Sequence, residues 1–373
     1  MSFDRVFDYP EVLKKPAMAA MQHAMKLKAN EKVLIITNPV RDVALISSAL
    51  YDAAVELGAI PTIVIQPVKT LVDFAEPAVI AALETEPDVV CSISAEKLGK
   101  DKKRLTNPEE YNGQKYYHIH DFLREGKKTV RSFWSPSITI DTFVRTVAID
   151  YIELQKDCSK VAEAIKNGEK IRVTAPGGTD IEFSIAGRKP FVDDGNFSEK
   201  GEGGNLPAGE VFISPALESA EGTIFFDGSI SLVEGVAVPR TPVKVEIKNG
   251  YVSSITGDDT AAEQLEASLK SGEQTALERI ENGSFDKKTG ERFAKNARHL
   301  GEFGIGLNRA ADIVGNMLED EKVYGTCHFA IGSNYDNDAE ALIHLDALVK
   351  SPTIEVIKEG KSITIMKDGE LIL

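Results

Sequence analysis

Lys32-Val33-Leu34-Ile35-Ile36-Thr37 is an unbroken apolar run of strand length. Runs of this kind mark strands covered on both faces, as in a parallel sheet. The pattern continues outward from it. Asp42 is placed to cap a helix over Val43–Leu57, which Gly58 closes. Pro61-Thr-Ile-Val-Ile-Gln66 reads as a second strand, Ala78 to Glu84 as a helix, and Asp88-Val-Val-Cys-Ser-Ile93 as a third strand. A β-α-β-α-β order requires right-handed crossovers and gives a parallel sheet. The basic run from Lys97 to Arg104 reads as a solvated face.

The periodicity turns helical from Asp141 to Ile165, and Asn167-Gly168 ends it. The domain boundary is placed there, giving residues 1–167 and 168–373. A chain of 373 residues is long for a single core, which also favours two domains. Beyond the boundary the pattern is strand-rich. Lys170–Thr174 and Asp180–Ser184 flank a Pro-Gly-Gly turn, and Asn249-Gly250 is a hairpin turn between Val243–Ile247 and Tyr251–Ile255. Further strands are read at Thr223–Phe226, Ser229–Val238, Glu302–Leu307, Phe329–Ile331, His344–Val349 and Ser362–Met366. Asp259–Ser271 and Phe293–Ala297 read as helices. The expected fold is therefore an α/β N-terminal domain with a parallel sheet, followed by an α+β metal-binding domain with mostly antiparallel strands.

Composition narrows the function. The chain is 42% apolar and 27% charged, as in an ordinary globular protein, and its net charge is −15. That charge repels phosphate backbones and anionic lipid, so neither nucleic acid nor membrane is an expected partner. No apolar run reaches membrane-spanning length, and Met1–Arg5 does not begin a signal peptide. The expected location is the cytoplasm. Cys91, Cys158 and Cys327 are too scattered for a disulfide framework or a CxxC zinc motif. No Gly-x-Gly-x-x-Gly follows the first strand. Gly360-Lys361-Ser362 has the tail of a Walker motif, but Glu355 stands where its first glycine belongs.

The chemistry gathers in the second half. His344 and Asp346, in Ala-Leu-Ile-His344-Leu-Asp346-Ala-Leu-Val, are two apart on a strand and so share a face. His328 lies sixteen residues upstream in another apolar strand, and the chain has only six histidines. Cys327 would face away from a site built on His328. Three carboxylates stand in unusual settings. Glu210 follows a glycine-rich loop, Glu302 opens Glu302-Phe-Gly-Ile-Gly-Leu307, and Glu321 closes Leu318-Glu-Asp-Glu321. Two imidazoles with several carboxylates suit zinc, manganese or cobalt, and this many acids can offset the charge of two adjacent ions. His118 and His120 are a second histidine pair, with no acidic or cysteine partner evident; a polar surface segment is the plainer reading.

Asn-Leu-Pro-Ala-Gly-Glu210-Val-Phe-Ile-Ser-Pro, Leu-Gly-Glu302-Phe-Gly-Ile-Gly-Leu-Asn, Gly-Thr-Cys-His328-Phe-Ala-Ile-Gly-Ser-Asn-Tyr335 and His344-Leu-Asp346 resemble motifs of the aminopeptidase T / aminopeptidase S family of metallopeptidases. They come in that family's order, although the intervals differ. The resemblance implies two divalent metal ions per chain (Zn, Co or Mn), held by Glu210, Glu302, Glu321, His328, His344 and Asp346. It implies that Glu302 bridges or acts as base, that Tyr335 is a catalytic tyrosine, and that the protein is a homodimer acting on short peptides. The expected reaction is removal of N-terminal residues by a metal-activated water.

Two other readings stand beside this one. Two histidines and one aspartate also form the facial triad of non-haem iron oxygenases. The aminopeptidase T family is similar to ring-cleaving dioxygenases that act on dihydroxypyridines, which would use one iron on His328, His344 and Asp346. A third reading is a non-catalytic binding or assembly protein on the same fold. Metal identity and count separate the first two.

Overall fold

The computed structural model describes residues 8–70, 72–257 and 260–373. The chain divides into two compact units, Met1–Gln155 with Asp193–Ala208, and Lys156–Val192 with Gly209–Leu373. No helix among the described residues is long and apolar enough to cross a membrane.

The first unit carries a five-stranded sheet in the order Gly203–Asn205, Arg131–Pro136, Val89–Ser94, Lys32–Thr37, Ile60–Ile65. All its pairings are parallel, as the Lys32–Thr37 run implied. Residues Val33 to Thr37 are buried, which is why that strand shows no alternation. The Arg41–Glu56 helix follows it, but Asp42 does not cap it. The N-cap is Val40, without a side-chain bond. Asp42 sits in the first turn and accepts a hydrogen bond from the Ile140 backbone at 3.0 Å. The segment read as one helix from Asp141 is two, Ile140–Thr146 and Tyr151–Ile165. Arg104, in the basic run, is buried and ion-paired with Asp101, Glu84 and Glu109.

Arg131 is also a buried cation, 2% exposed. Its guanidinium grips Glu31 with two hydrogen bonds of 2.9 and 2.7 Å and reaches the Met25 carbonyl. Removing one member of such a pair strands the other. Glu31→Ala is therefore expected to cost roughly 3–5 kcal/mol, read as a lower denaturant midpoint with unchanged slope.

The second unit pairs two sheets. The eight-stranded sheet contains the expected hairpins Lys170–Thr174 with Asp180–Ser184 and Val243–Lys248 with Tyr251–Thr256. Asn249 and Gly250 both have positive φ, 48° and 76°, as a tight hairpin turn requires. Thr353–Lys358, not anticipated, joins this sheet between Lys170–Thr174 and Lys361–Lys367. Ser229–Val238 is a small hairpin rather than one strand. The helix expected from Asp259 is described from Thr260 and runs to Glu281; Asp259 itself lies outside the described residues. Phe293–Ala297 proves to be the end of a longer helix, Lys287–Asn296.

The seven-stranded sheet positions the site. Its order is Gly235–Ala237, Ile230–Leu232, His344–Lys350, Thr326–Gly332, Leu300–Gly306, Glu210–Ile213, Phe191–Asp193. The four central strands pair antiparallel. Alternation divides their residues between two faces. Phe303 and Phe329 occupy one face and pack on Phe183 of the other sheet, with ring centroids 5.2–6.1 Å apart. Cys327 is buried on that face. The opposite face receives Glu302, Gly304, Gly306, His328, Ala330, His344 and Asp346.

Candidate metal centre

Register brings the side chains together. Glu302 pairs with Ala330, and Ala330 with Asp346; Gly304 pairs with His328; Glu210 pairs with Gly306. Directly paired residues share a face, so Glu210, Glu302, His328, His344 and Asp346 converge across four strands. His328 Nε2 lies 3.1 Å from Glu302 Oε1 and 3.4 Å from Glu210 Oε2. His344 Nε2 lies 3.2 Å from Glu302 Oε2 and 3.3 Å from Asp346 Oδ1. Glu302 thus stands between the two imidazoles.

The glycines of Leu300–Gly306 explain how this fits. A Cβ on Gly304 would lie 2.0 Å from His328 Nε2, so the imidazole fills the space that a side chain would take. A Cβ on Gly306 would lie 2.2 Å from the Val323 carbonyl oxygen, and one on Gly301 2.4 Å from that of Ser333. Gly301 is the extra residue of a bulge between Leu300 and Glu302, a device that re-aims the next side chain.

Two donor groups result, Glu210–Glu302–His328 and Glu302–His344–Asp346, each compact enough to hold a metal ion and sharing Glu302. The hydrogen bonding fits such an occupant. His344 Nδ1–H donates to the Ser333 carbonyl at 2.9 Å. Its Nε2 is then left facing two carboxylates, acceptor against acceptor. That arrangement, with one ring nitrogen anchored and the other aimed inward, is the usual setting of a metal-ligating histidine. Glu210 Oε2 and Glu302 Oε2 are buried without an aligned hydrogen-bond donor among the described residues. Unmet acceptors of this kind call for a cation.

Without a metal, protons take that place. Burial pulls the His328 imidazole down, but Glu302 and Glu210 outweigh it and push it up to about 9. His344 is raised by Asp346 and Glu302 against the same burial. Burial alone would raise Glu302 and Asp346, yet the facing imidazoles hold both below the usual carboxylate range, Asp346 at about 2.

Glu321, expected among the ligands, is in neither donor group and is linked to Glu210 through Lys322. It follows the short helix Met317–Asp320, held where Glu319 accepts from the Asp312 backbone and Asp320 from those of Val314 and Gly315. Burial raises its carboxyl to about 8, with Lys322 opposing and Glu210 and Asp346 adding to the rise. The next residue, Lys322, escaped the sequence reading. It is 0% exposed, and its Nζ lies 2.5 Å from Glu210 Oε1 and 2.6 Å from Glu321 Oε1. In the sequence it closes an acidic run and looks like a solvated charge. Its one signal is position, six residues before His328 on the way into a buried strand.

Tyr335 lies beside the cluster rather than within it. Its ring centroid is 5.4 Å from that of His344 and 5.0 Å from that of Phe212, and the residue is 50% exposed. The other histidine pair belongs to the first unit and is self-satisfied. His118 Nε2–H donates to the Gly99 carbonyl, its Nδ1 accepts from the His120 backbone, and His120 Nε2 meets Ser132 Oγ. It caps a helical turn, Ile119–Asp121.

This geometry can be set beside known proteins. The family model described as NicX, 2,5-dihydroxypyridine 5,6-dioxygenase, matches residues 139–372. The chain belongs to the NicX family. No curated protein matches it by sequence. Two solved structures share its fold over nearly their whole length. The 2,5-dihydroxypyridine dioxygenase from Pseudomonas putida KT2440 superposes with a TM-score of 0.69 at 16% identity, covering 97% of this chain and 98% of that one. Wild-type AmpT from Thermus thermophilus gives 0.67 at 15% identity, covering 97% and 99%. The expected two-part fold is the one found, and AmpT shares it. The aminopeptidase resemblance therefore holds for the fold, while the matching family model is the dioxygenase one. This NicX-family chain carries an enzyme family's fold and a metal-capable site.

Proposed function

We propose that the protein is a metal-dependent ring-cleaving dioxygenase acting on dihydroxypyridine-type substrates, with a single iron held by His328, His344 and Asp346. The observation that carries this reading is Lys322. A two-metal site needs Glu210 and Glu321 free to balance a second dication. Here a buried ammonium already pairs with both. The donor group clear of Lys322 is Glu302–His344–Asp346, and His328 Nε2 lies 3.1 Å from the other oxygen of Glu302, so two imidazoles and Asp346 are gathered around that carboxylate. That is the ligand type of mononuclear non-haem iron oxygenases. The family match supports the same reading.

Iron(II) held by these residues would supply oxygen activation. The chain's own residues do the rest. Ser333 fixes the His344 tautomer, and Glu302 holds both imidazoles in orientation. Lys322 keeps Glu210 and Glu321 from competing for the metal. Tyr335 borders the His344 side, where a ring substrate would enter. The dinuclear peptidase reading rests on the two donor groups that share Glu302. It would place a second dication on Glu210 Oε2 while Lys322 holds Oε1, one more positive charge beside a buried ammonium.

The test is turnover. The iron-loaded protein is expected to consume about one oxygen per dihydroxypyridine, the stoichiometry of dioxygenation, and to release no residue from unblocked peptides. Chelator-sensitive release of N-terminal residues, without oxygen uptake on any aromatic diol, would move the assignment to the peptidase.

A further inference from the structure

The ligand face of the second unit carries a chain of aromatic rings that the metal chemistry does not use. Phe212 follows Glu210 by two residues on the same strand and pairs with Gly304, whose missing side chain makes room for His328. Its ring therefore stands on the same face as the ligands. Phe191 stacks on Phe212 at 5.1 Å and 14°, and Tyr335 leans on both, 5.0 Å from Phe212 and 6.0 Å from Phe191. Tyr335 then meets His344 edge-on. The rings run from the sheet edge to a metal ligand without a break.

Their exposure separates them from core packing. Phe183, Phe303 and Phe329, on the other face, are fully buried. Phe191 is 37% exposed and Tyr335 50%. Contiguous exposed aromatics beside a polar cluster mark a binding surface. A flat aromatic partner gains the added offset-stacking energy of aromatic pairs on such a surface.

We infer that Phe191, Phe212 and Tyr335 form a stacking shelf that binds a planar heteroaromatic ring and delivers its hydroxyl edge toward His344. The ring class deepens the dioxygenase reading and rests on it for the reaction, though the shelf is tested by binding alone. Phe212 is the specificity residue, since it links the shelf to the ligand strands.

The experiment is calorimetry on zinc-loaded protein, which binds without turnover. The probes are 3-hydroxypyridine and its saturated counterpart 3-hydroxypiperidine. The shelf predicts tighter binding of the flat ring, a loss of roughly tenfold in Phe212→Ala, and recovery in Phe212→Trp. Zinc content should be unchanged. Phe191→Ala, at the sheet edge, should weaken the flat ring in the same direction and guards against a folding defect at Phe212. Equal affinity for both probes, or variants that bind the flat ring like the parent, would overturn the shelf. The two proposals fail separately. Phe212-dependent ring binding without oxygen uptake removes the dioxygenase reading and keeps the shelf; oxygen uptake with ring binding indifferent to Phe212 does the reverse.

Discussion

Lys322→Met is expected to raise the divalent-metal content of the protein from about one ion per chain to about two. The substitution keeps length and apolar volume but removes the only charge that Lys322 brings. Glu210 and Glu321 then face each other at a buried site with no ammonium between them. Removing one member of a buried ion pair costs on the order of 3–5 kcal/mol. The metal-free variant should therefore unfold at lower denaturant than the parent. Manganese or zinc should restore it by mass action, because the ion binds only the folded state. The Glu210–Glu302–His328 group then has a full complement of donors. Metal content by mass spectrometry and unfolding midpoints with and without added ion check this. A folded variant that still holds one ion, with stability indifferent to manganese, would show that Lys322 does not set the metal number.

Gly304→Ala is expected to remove metal binding while leaving the fold in place. The new methyl would sit 2.0 Å from His328 Nε2 and 2.2 Å from its Cε1. His328 is fully buried and has nowhere to retreat without leaving Glu302 and Glu210. Displacing a ligand ought to cost at least the roughly 10–100-fold in affinity that loss of a mere supporting hydrogen bond does. Gly306→Ala is the contrast, because its methyl would strike the Val323 carbonyl at 2.2 Å and strain backbone instead of a ligand. Iron or zinc titration of Gly304→Ala, with circular dichroism as the check on folding, distinguishes the two kinds of damage. Parent-like affinity in Gly304→Ala would mean that His328 is not a ligand.

The glycines also show why much of the site could be read before the structure was known. Glu302 stood out because its neighbours are small and apolar, and those neighbours are what make room for the imidazole. The His344–Asp346 pair followed from strand alternation alone, and the pairing of Ala330 with Asp346 and Glu302 completes it. The parallel sheet was legible from one apolar run, since a strand covered on both faces has no polar positions to hide it.

What escaped reading depends on contacts remote in sequence. Gly203–Asn205, read as a glycine-rich loop, is an edge strand of the parallel sheet because it pairs with Arg131–Pro136. Three residues with two glycines carry no period. Asp42 had the right residue type for a cap, but a backbone amide nearly a hundred residues away claimed it. Lys322 is the costliest omission. A lysine after Leu-Glu-Asp-Glu looks exposed on any hydropathy argument, and its burial follows only once Glu210 arrives from another strand. Counting carboxylates alone leaves that ammonium out of the charge balance.

The measurement that bears most directly on this account is the metal content of anaerobically purified protein by mass spectrometry. About one iron per chain is expected, the complement of a two-histidine, one-carboxylate site, with no second ion taken up at moderate excess of zinc or manganese. About two divalent ions per chain in the unaltered protein would contradict it, because a second dication would then be held beside the buried Lys322 ammonium.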